Sequence, residues 1–349
     1  MQNNYLKQWA HVAAPKASGQ MKLELEDFCV DEILGFELSG EGEHIFLHIE
    51  KRGLNTQDVI KILASKFALH PKHIAYSGLK DKQAVTRQWL SVWSPKELHS
   101  DTLETEGFKV LTQKRHISKL KRGAHRANSF EIIIRHLKHS EQIEKTIERI
   151  RLNGVPNYFG PQRFGRGGKN LDKARDLFER IHTLGKRVKL DRQQRSIYLS
   201  AARSFLFNEV LSTRVKQENW DSVLSGEAIM LAGSNSYFTS KGLAVEEEQA
   251  LPNRLAEFDI HPSAPLWGKG DLATVEEALT LETDALKTHL ALQQGLEVMG
   301  LKQQRRATRL IAEDLTHEFL ADDVLKLRFN LVKGTFATSV LRELVTITL

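Results

Sequence analysis

The chain has 349 residues, 41% of them hydrophobic, with 50 Lys and Arg against 44 Asp and Glu, a net charge of +6, and one cysteine, Cys29. This length suits two domains or one large one with an ample core. The lone cysteine excludes an internal disulfide and a thiolate metal cluster, and no stretch approaches the ~18 apolar residues of a membrane helix.

The opening Met1-Gln2-Asn3-Asn4-Tyr5 lacks a basic region followed by an apolar run, so no secretory signal is expected and the expected location is cytoplasmic. Phe28-Cys29-Val30 reads as strand, with Cys29 a buried small hydrophobe rather than a reactive thiol. Residues 43–49, rich in β-branched and aromatic side chains, read as another. Asn55 or Thr56 caps a helix with Asp58 in its first turn and Val59, Ile60, Leu63 and Phe67 on one face. Strands are expected over 73–76, 88–93, 108–112 and 129–137. A helix from Ser140, with Ile143, Ile147 and Ile150 aligned, stops at Asn153-Gly154. The reading from 171 to about 310 is mainly helical: 171–181, 200–211, and a long helix near 274–292 with Val275, Leu279, Leu286 and Leu290 in phase. A strand over 324–330 and a helix over 335–344 close the chain. The fold class is therefore α+β, a sheet domain interrupted by a largely helical insertion.

Charge is clustered. Lys114, Arg115, Lys119, Lys121, Arg122 and Arg126 fall within thirteen acid-free residues. Further clusters are Lys186, Arg187, Lys189, Arg192 and Arg195; Lys302, Arg305, Arg306 and Arg309; and Arg163, Arg166 and Lys169. One such cluster is ordinarily a solvated face, but several brought together would track a polyphosphate backbone, so RNA or DNA is the expected partner.

Two segments carry chemistry. In Gly78-Leu79-Lys80-Asp81-Lys82-Gln83-Ala84-Val85-Thr86, one carboxylate lies between two lysines at the end of a strand, and Gly78 suggests a tight turn or close backbone approach. Flanking cations favour a charged carboxylate, which can act as a nucleophile; a surface turn with a weak ion pair is the plain alternative. Asn157-Tyr158-Phe159-Gly160-Pro161-Gln162-Arg163-Phe164-Gly165-Arg166-Gly167-Gly168-Lys169-Asn170 has three aromatics, four glycines and three cations. It fails as a phosphate-binding P-loop, because Asn170 follows Gly168-Lys169 and Arg occupies position 163. It suits an RNA-contacting loop or a domain junction with buried rings.

These two segments resemble the TruD family of tRNA pseudouridine synthases. So do Glu26-Asp27-Phe28-Cys29-Val30-Asp31-Glu32, Gly40-Glu41-Gly42-Glu43-His44, Ala127-Asn128-Ser129-Phe130, Leu199-Ser200-Ala201-Ala202-Arg203-Ser204 and the stretch from Gly334-Thr335-Phe336 to Arg342-Glu343, in order along nearly the whole chain. The resemblance implies isomerisation of uridine-13 in tRNA to pseudouridine, without cofactor or metal. It implies a mixed, mostly antiparallel sheet flanked by helices, with catalytic segments at 1–154 and 309–349 and an insertion domain at 155–308. Asp81 matches the family's nucleophile and Lys22 its basic partner. Lys80 and Lys82 compete by proximity, but neighbours on a strand point to opposite faces. An extruded base needs stacking rings and edge hydrogen bonds; Phe28 and Phe336 resemble the family's substrate phenylalanines and Asn128 its polar contact, with Phe130 a possible support. Arg163, Arg166, Arg122 and Arg126 are candidate RNA contacts. Arg203 and Arg342 fit phosphate binding or ion pairs with Glu209 or Glu343. His44 and His48, or His70 and His73, suggest no third ligand, so no metal is expected. The expected partner is tRNA, with no membrane and no obligate protein partner, as a monomer. The rival reading is a non-catalytic RNA-binding protein of the same fold.

Overall fold

A computed structural model describes residues 9–96, 98, 104–184 and 191–348. The opening residues Met1–Tyr5 and the cluster members Lys186, Arg187 and Lys189 lie outside them. Contacts divide the chain into two units: 1–15, 148–311 and 335–344 form one, and 16–147, 312–334 and 345–349 the other. Among the described residues no helix is long and apolar enough to cross a membrane.

In the sheet unit the elements run β1 (Ser18–Met21), β2 (Phe28–Leu34), β3 (His44–Arg52), α1 (Thr56–Lys66), β4 (Ile74–Tyr76), β5 (Val85–Trp93), β6 (Glu104–Thr105), β7 (Phe108–His116) and β8 (His125–Lys138). Helix α2 (Ile143–Asn153) leads into the helical unit, which holds β9 (Val155–Pro156), α3 (Lys169–Leu184), α4 (Arg192–Lys216), β10 (Ala228–Leu231), β11 (Tyr237–Thr239), α5 (Val245–Ala256), β12 (Ile260–His261), β13 (Ser263–Leu266), α6 (Glu276–Leu286), α7 (Leu290–Val298), β14 (Gln304–Ala307) and β15 (Arg309–Leu310). The chain returns to the sheet with β16 (Glu313–Ala321) and β17 (Val324–Val332), gives α8 (Ala337–Leu344) to the helical unit, and closes with β18 (Thr346–Thr348).

The sheet order is β16-β17-β8-β2-β5-β3-β7-β6, with β4 on β5 and β1 on β8 and β18. All these pairings are antiparallel except β2 with β5 and β1 with β18. The class is α+β. Register puts Phe28, Val30 and Glu32 of β2 opposite Ile132, Phe130 and Asn128 of β8, and those opposite Leu327, Phe329 and Leu331 of β17. Because strand side chains alternate, these residues share one face. That face is apolar except for Glu32 and Asn128 at one end. Helix α1 buries Val59, Ile60 and Leu63 against Ile45, Leu47, Ile49, Leu90 and Val92, each large side chain stabilising by roughly 2 kcal/mol. Its start follows the cap residues: Asp58 Oδ2 accepts the Asn55 backbone N–H at 3.2 Å.

The helical unit's core joins Trp9, Tyr158, Phe159 and Phe164 to Phe178 of α3, Phe205 and Phe207 of α4, and Leu292 and Leu296 of α7. Two expectations fail there. The single helix near 274–292 is two, α6 and α7, separated at 287–289. Its buried stripe is Ala278, Leu281 and Leu286, while Leu290 is exposed; successive short amphipathic helices carry the same period as one long helix. The 171–310 stretch also contains the short strands β10 to β15, whose two to four residues are too brief to alternate visibly. In the sheet unit, exposed β16 escaped notice for want of an apolar face.

Candidate active site and RNA-contact residues

Asp81 does not lie on a strand but in the irregular 77–84 segment between β4 and β5. Gly78 there has no left-handed φ, and a Cβ on it would meet atoms only at 3.5 Å or beyond, so neither strain nor close approach demands glycine. The side chain of Asp81 is 61% exposed, and Lys22 Nζ donates to its Oδ2 at 3.0 Å. Among the described residues its Oδ1 has no partner. Lys22, just past β1, has φ of 64°, a conformation costly for a residue with a Cβ. Its Nζ also lies 4.2 Å from the centre of the Phe28 ring, within cation–π reach. Phe28 is buried and meets Phe130 edge-on at 6.1 Å. The structure thus brings Asp81, Lys22 and Phe28 together, with Phe130 behind them.

Lys80 turns the other way. Its Nζ lies 2.8 Å from Glu32 Oε2 and donates to Asn128 Oδ1 at 2.6 Å. Its backbone N–H donates to Thr56 Oγ1 at 3.2 Å, which fixes the loop to α1. Lys82 is exposed. Neither flanking lysine pairs with Asp81; Lys22, 59 residues distant in sequence, does.

Sequence reasoning missed Lys51. It is buried at the end of β3 and donates from Nζ to the Asp81 backbone carbonyl at 2.6 Å. Desolvation lowers its pKa from 10.5 to about 8; Asp81 and Asp58 act in the opposite sense, and Lys80 in the same sense. Glu50-Lys51-Arg52 reads as a solvated charge run, and β3 is buried on both faces, so alternation gives no signal. Glu32, in the 26–32 motif, likewise gives no sign in sequence of its contacts with Lys80 and the Trp89 backbone N–H.

Phe336 belongs to the helical unit. Its ring lies 6.1 Å from that of Phe159, and the Arg163 guanidinium sits 5.3 Å from the Phe159 ring and 5.8 Å from the Phe336 ring. Arg163 also donates to Ser200 Oγ at 2.9 Å, and burial lowers its pKa. Arg306 stacks on Phe159 at 4.2 Å and donates to Asn157 Oδ1 at 2.6 Å; burial, with Arg163 nearby, lowers its pKa to about 9. Asn208 of α4 clamps the loop, accepting from the Phe159 N–H at 2.9 Å and donating to the Phe159 carbonyl at 3.0 Å. Gly165, Gly167 and Gly168 all have positive φ, the conformational freedom that lets this loop turn into α3. Arg166 is exposed.

In the sheet unit Arg122 lies over Tyr76 at 3.5 Å and Arg126 is exposed. The cluster at 302–309 is largely structural. Arg305 forms a buried pair with Glu282 at 2.6 Å, and Arg309 donates to His261 Nδ1 at 3.2 Å and to two backbone carbonyls. Arg305 on β14, paired with β13, and Arg309 on β15, paired with β9, are both buried, so charge density in sequence does not become surface charge. Arg203 donates to the carbonyls of Leu266 and Lys302 rather than to Glu209. Arg342 donates to the Trp9 carbonyl at 2.8 Å, with Glu343 at 3.7 Å. His48 pairs with Asp31 at 3.3 Å, and among the described residues no group of three His, Cys, Asp or Glu could hold a metal ion.

The mixed sheet with its discontinuous second unit has a counterpart of known structure. A solved Methanosarcina mazei protein superposes with a TM-score of 0.76 at 22% identity, over 96% of this chain and 95% of that one, which establishes the shared fold. The chain belongs to the TruD family: the family model "tRNA pseudouridine synthase D (TruD)" matches residues 8–173 and 175–344. Proteins named tRNA pseudouridine synthase D are similar throughout. That of Methylococcus capsulatus is 46% identical over 330 residues, 94% of this chain and 91% of its own. That of Xanthomonas euvesicatoria is 44% identical over 348 residues, 96% and 93%. That of Colwellia psychrerythraea is 40% identical over 341 residues, 95% and 90%.

Proposed function

We propose that this protein is a tRNA pseudouridine synthase, isomerising uridine-13 of tRNA with Asp81 as nucleophile and without a cofactor. Family membership supports the reaction class. The observation that carries the site is the exposed Asp81 carboxylate, oriented through Oδ2 by Lys22 at 3.0 Å beside the Phe28 ring. In this reading the free Oδ1 attacks the sugar C1′ and the C1′–N1 bond breaks, its electron pair leaving with the base. The uracil rotates, C5 bonds to C1′, the carboxylate departs, the C5 proton is lost and N1 gains one. Bonds and electrons balance with no net oxidation. The target must leave its stack to reach the carboxylate. Phe28, Asn128 and Phe336 act as substrate contacts, and Arg163, Arg166, Arg122 and Arg126 as contacts to RNA. Residues 155–308 serve as the insertion domain and the flanking segments as the catalytic one.

The test is mass-spectrometric detection of pseudouridine at position 13 in unmodified tRNA incubated with the native protein and with Asp81→Asn. The native protein forms it; the variant does not, while binding tRNA within a few fold. Full activity in the variant removes Asp81 from the mechanism. Binding without product in the native protein leaves the non-catalytic reading.

A further inference from the structure

We propose that the buried Lys80–Glu32 pair locks the Asn128 amide with its Nδ2 hydrogens facing the base, making Asn128 a donor-only probe of the uracil carbonyls. The inference rests on Asn128 being the substrate contact of the proposed function. An ammonium group has three donors and no acceptor. Lys80 Nζ lies 2.6 Å from the Asn128 side chain, so only the amide oxygen can face it. The flipped amide would oppose donors to donors at a site where the Lys80 side chain is 7% exposed, and buried unsatisfied donors are costly.

Glu32 holds the lysine in place. It stands directly across from Asn128 in the β2–β8 register, its side chain is 0% exposed, and its Oε2 lies 2.8 Å from Lys80 Nζ. Its other oxygen accepts the Trp89 backbone N–H at 3.2 Å. The lysine is thus compensated without drawing on the outer edge of Asn128. Among the described residues, nothing accepts from Asn128 Nδ2, and Asn128 is only half-buried.

Uracil carries carbonyls at C2 and C4 on either side of N3–H. Exchanging N1 for C5 opposite C1′ requires the detached base to turn about its N3–C6 axis. That turn also exchanges the two carbonyls. A fixed donor therefore meets an acceptor before and after rotation, whichever carbonyl comes first. Cytosine has an amino group at C4, so in one of the two orientations donor opposes donor. One locked amide thus both selects uracil and accompanies its rotation.

The experiment compares kcat/KM on tRNA bearing uridine, 2-thiouridine or 4-thiouridine at the target, sulfur being the poorer acceptor. Removing Lys80 alone strands Glu32, so the lock is released in the double variant Glu32→Gln/Lys80→Met. The native enzyme is expected to lose about tenfold on each thio substrate, the worth of one hydrogen bond. The double variant is expected to lose about tenfold on uridine and show less than about twofold thio sensitivity, with KM little changed. Asn128→Asp still pairs with Lys80 but turns an acceptor toward the base; it is expected to lose more than about a hundredfold on uridine at an unchanged melting temperature. Undiminished thio penalties in the double variant, or an active Asn128→Asp enzyme, overturn the lock. An inactive native protein, or an active Asp81→Asn, overturns the underlying reading instead.

Discussion

Lys51 shows how one residue can trade stability for placement. It has no exposed surface, yet its ammonium reaches the Asp81 backbone carbonyl at 2.6 Å. Its folded pKa of about 8 lies below the ordinary 10.5. From pH 8 to 10.5 the unfolded chain therefore holds a proton that the folded chain has lost, and stability rises with pH over that window. Below it the burial cost is carried in full. Lys51→Met is expected to raise the unfolding free energy at pH 7 by about 2 kcal/mol, a gain that shrinks toward pH 10. Denaturant titrations at the two pH values check both sign and trend. At this scale the sequence was partly legible. Asp81 and Phe28 stand in recognisable motifs, Lys22 matches the family's basic partner, and the three lie together. Lys51 and Glu32 were invisible as partners because a charged residue gains a buried role only through residues far away in the chain.

At the scale of elements, clamps matter more than propensity. Asn208 sits within α4 with no exposed surface and satisfies both backbone groups of Phe159. Asn208→Leu removes both bonds and leaves a buried N–H and C=O unpaired. The expected cost is about 3 kcal/mol, read as a lower denaturation midpoint at an unchanged slope. Arg305→Met is expected to cost about 3 kcal/mol or more by stranding buried Glu282, with no change in tRNA affinity measured well below the melting temperature. A selective loss of binding would restore Arg305 to the RNA surface. A cap and an apolar face made α1 legible, whereas α4, expected over 200–211, runs Arg192–Lys216 and is buried on most sides, so no apolar stripe marks its full length. The α6–α7 break and the strands β10 to β15 were not legible, because pairing partners far along the chain, rather than local pattern, define such short segments.

For the whole molecule, net charge says less than its distribution. With Arg305 and Arg309 turned inward, the cations open to solvent include Lys114, Lys121, Arg126 and Arg166. Binding of tRNA is expected to weaken linearly in log Kd against log salt, and Lys121→Ala/Arg126→Ala to reduce that slope by about 2. Filter binding across a salt series measures it; a flat response would remove these residues from the interface. The order of synthesis has its own consequence. Strand β8 runs inside the sheet only because β17, made long after it, lies along it. A nascent or truncated chain lacking that strand presents the edge bearing Phe130, Ile132 and Ile134 as an unguarded template for self-association. The docking of β17, rather than the first collapse of the sheet, is then the step at which this fold is most open to self-association.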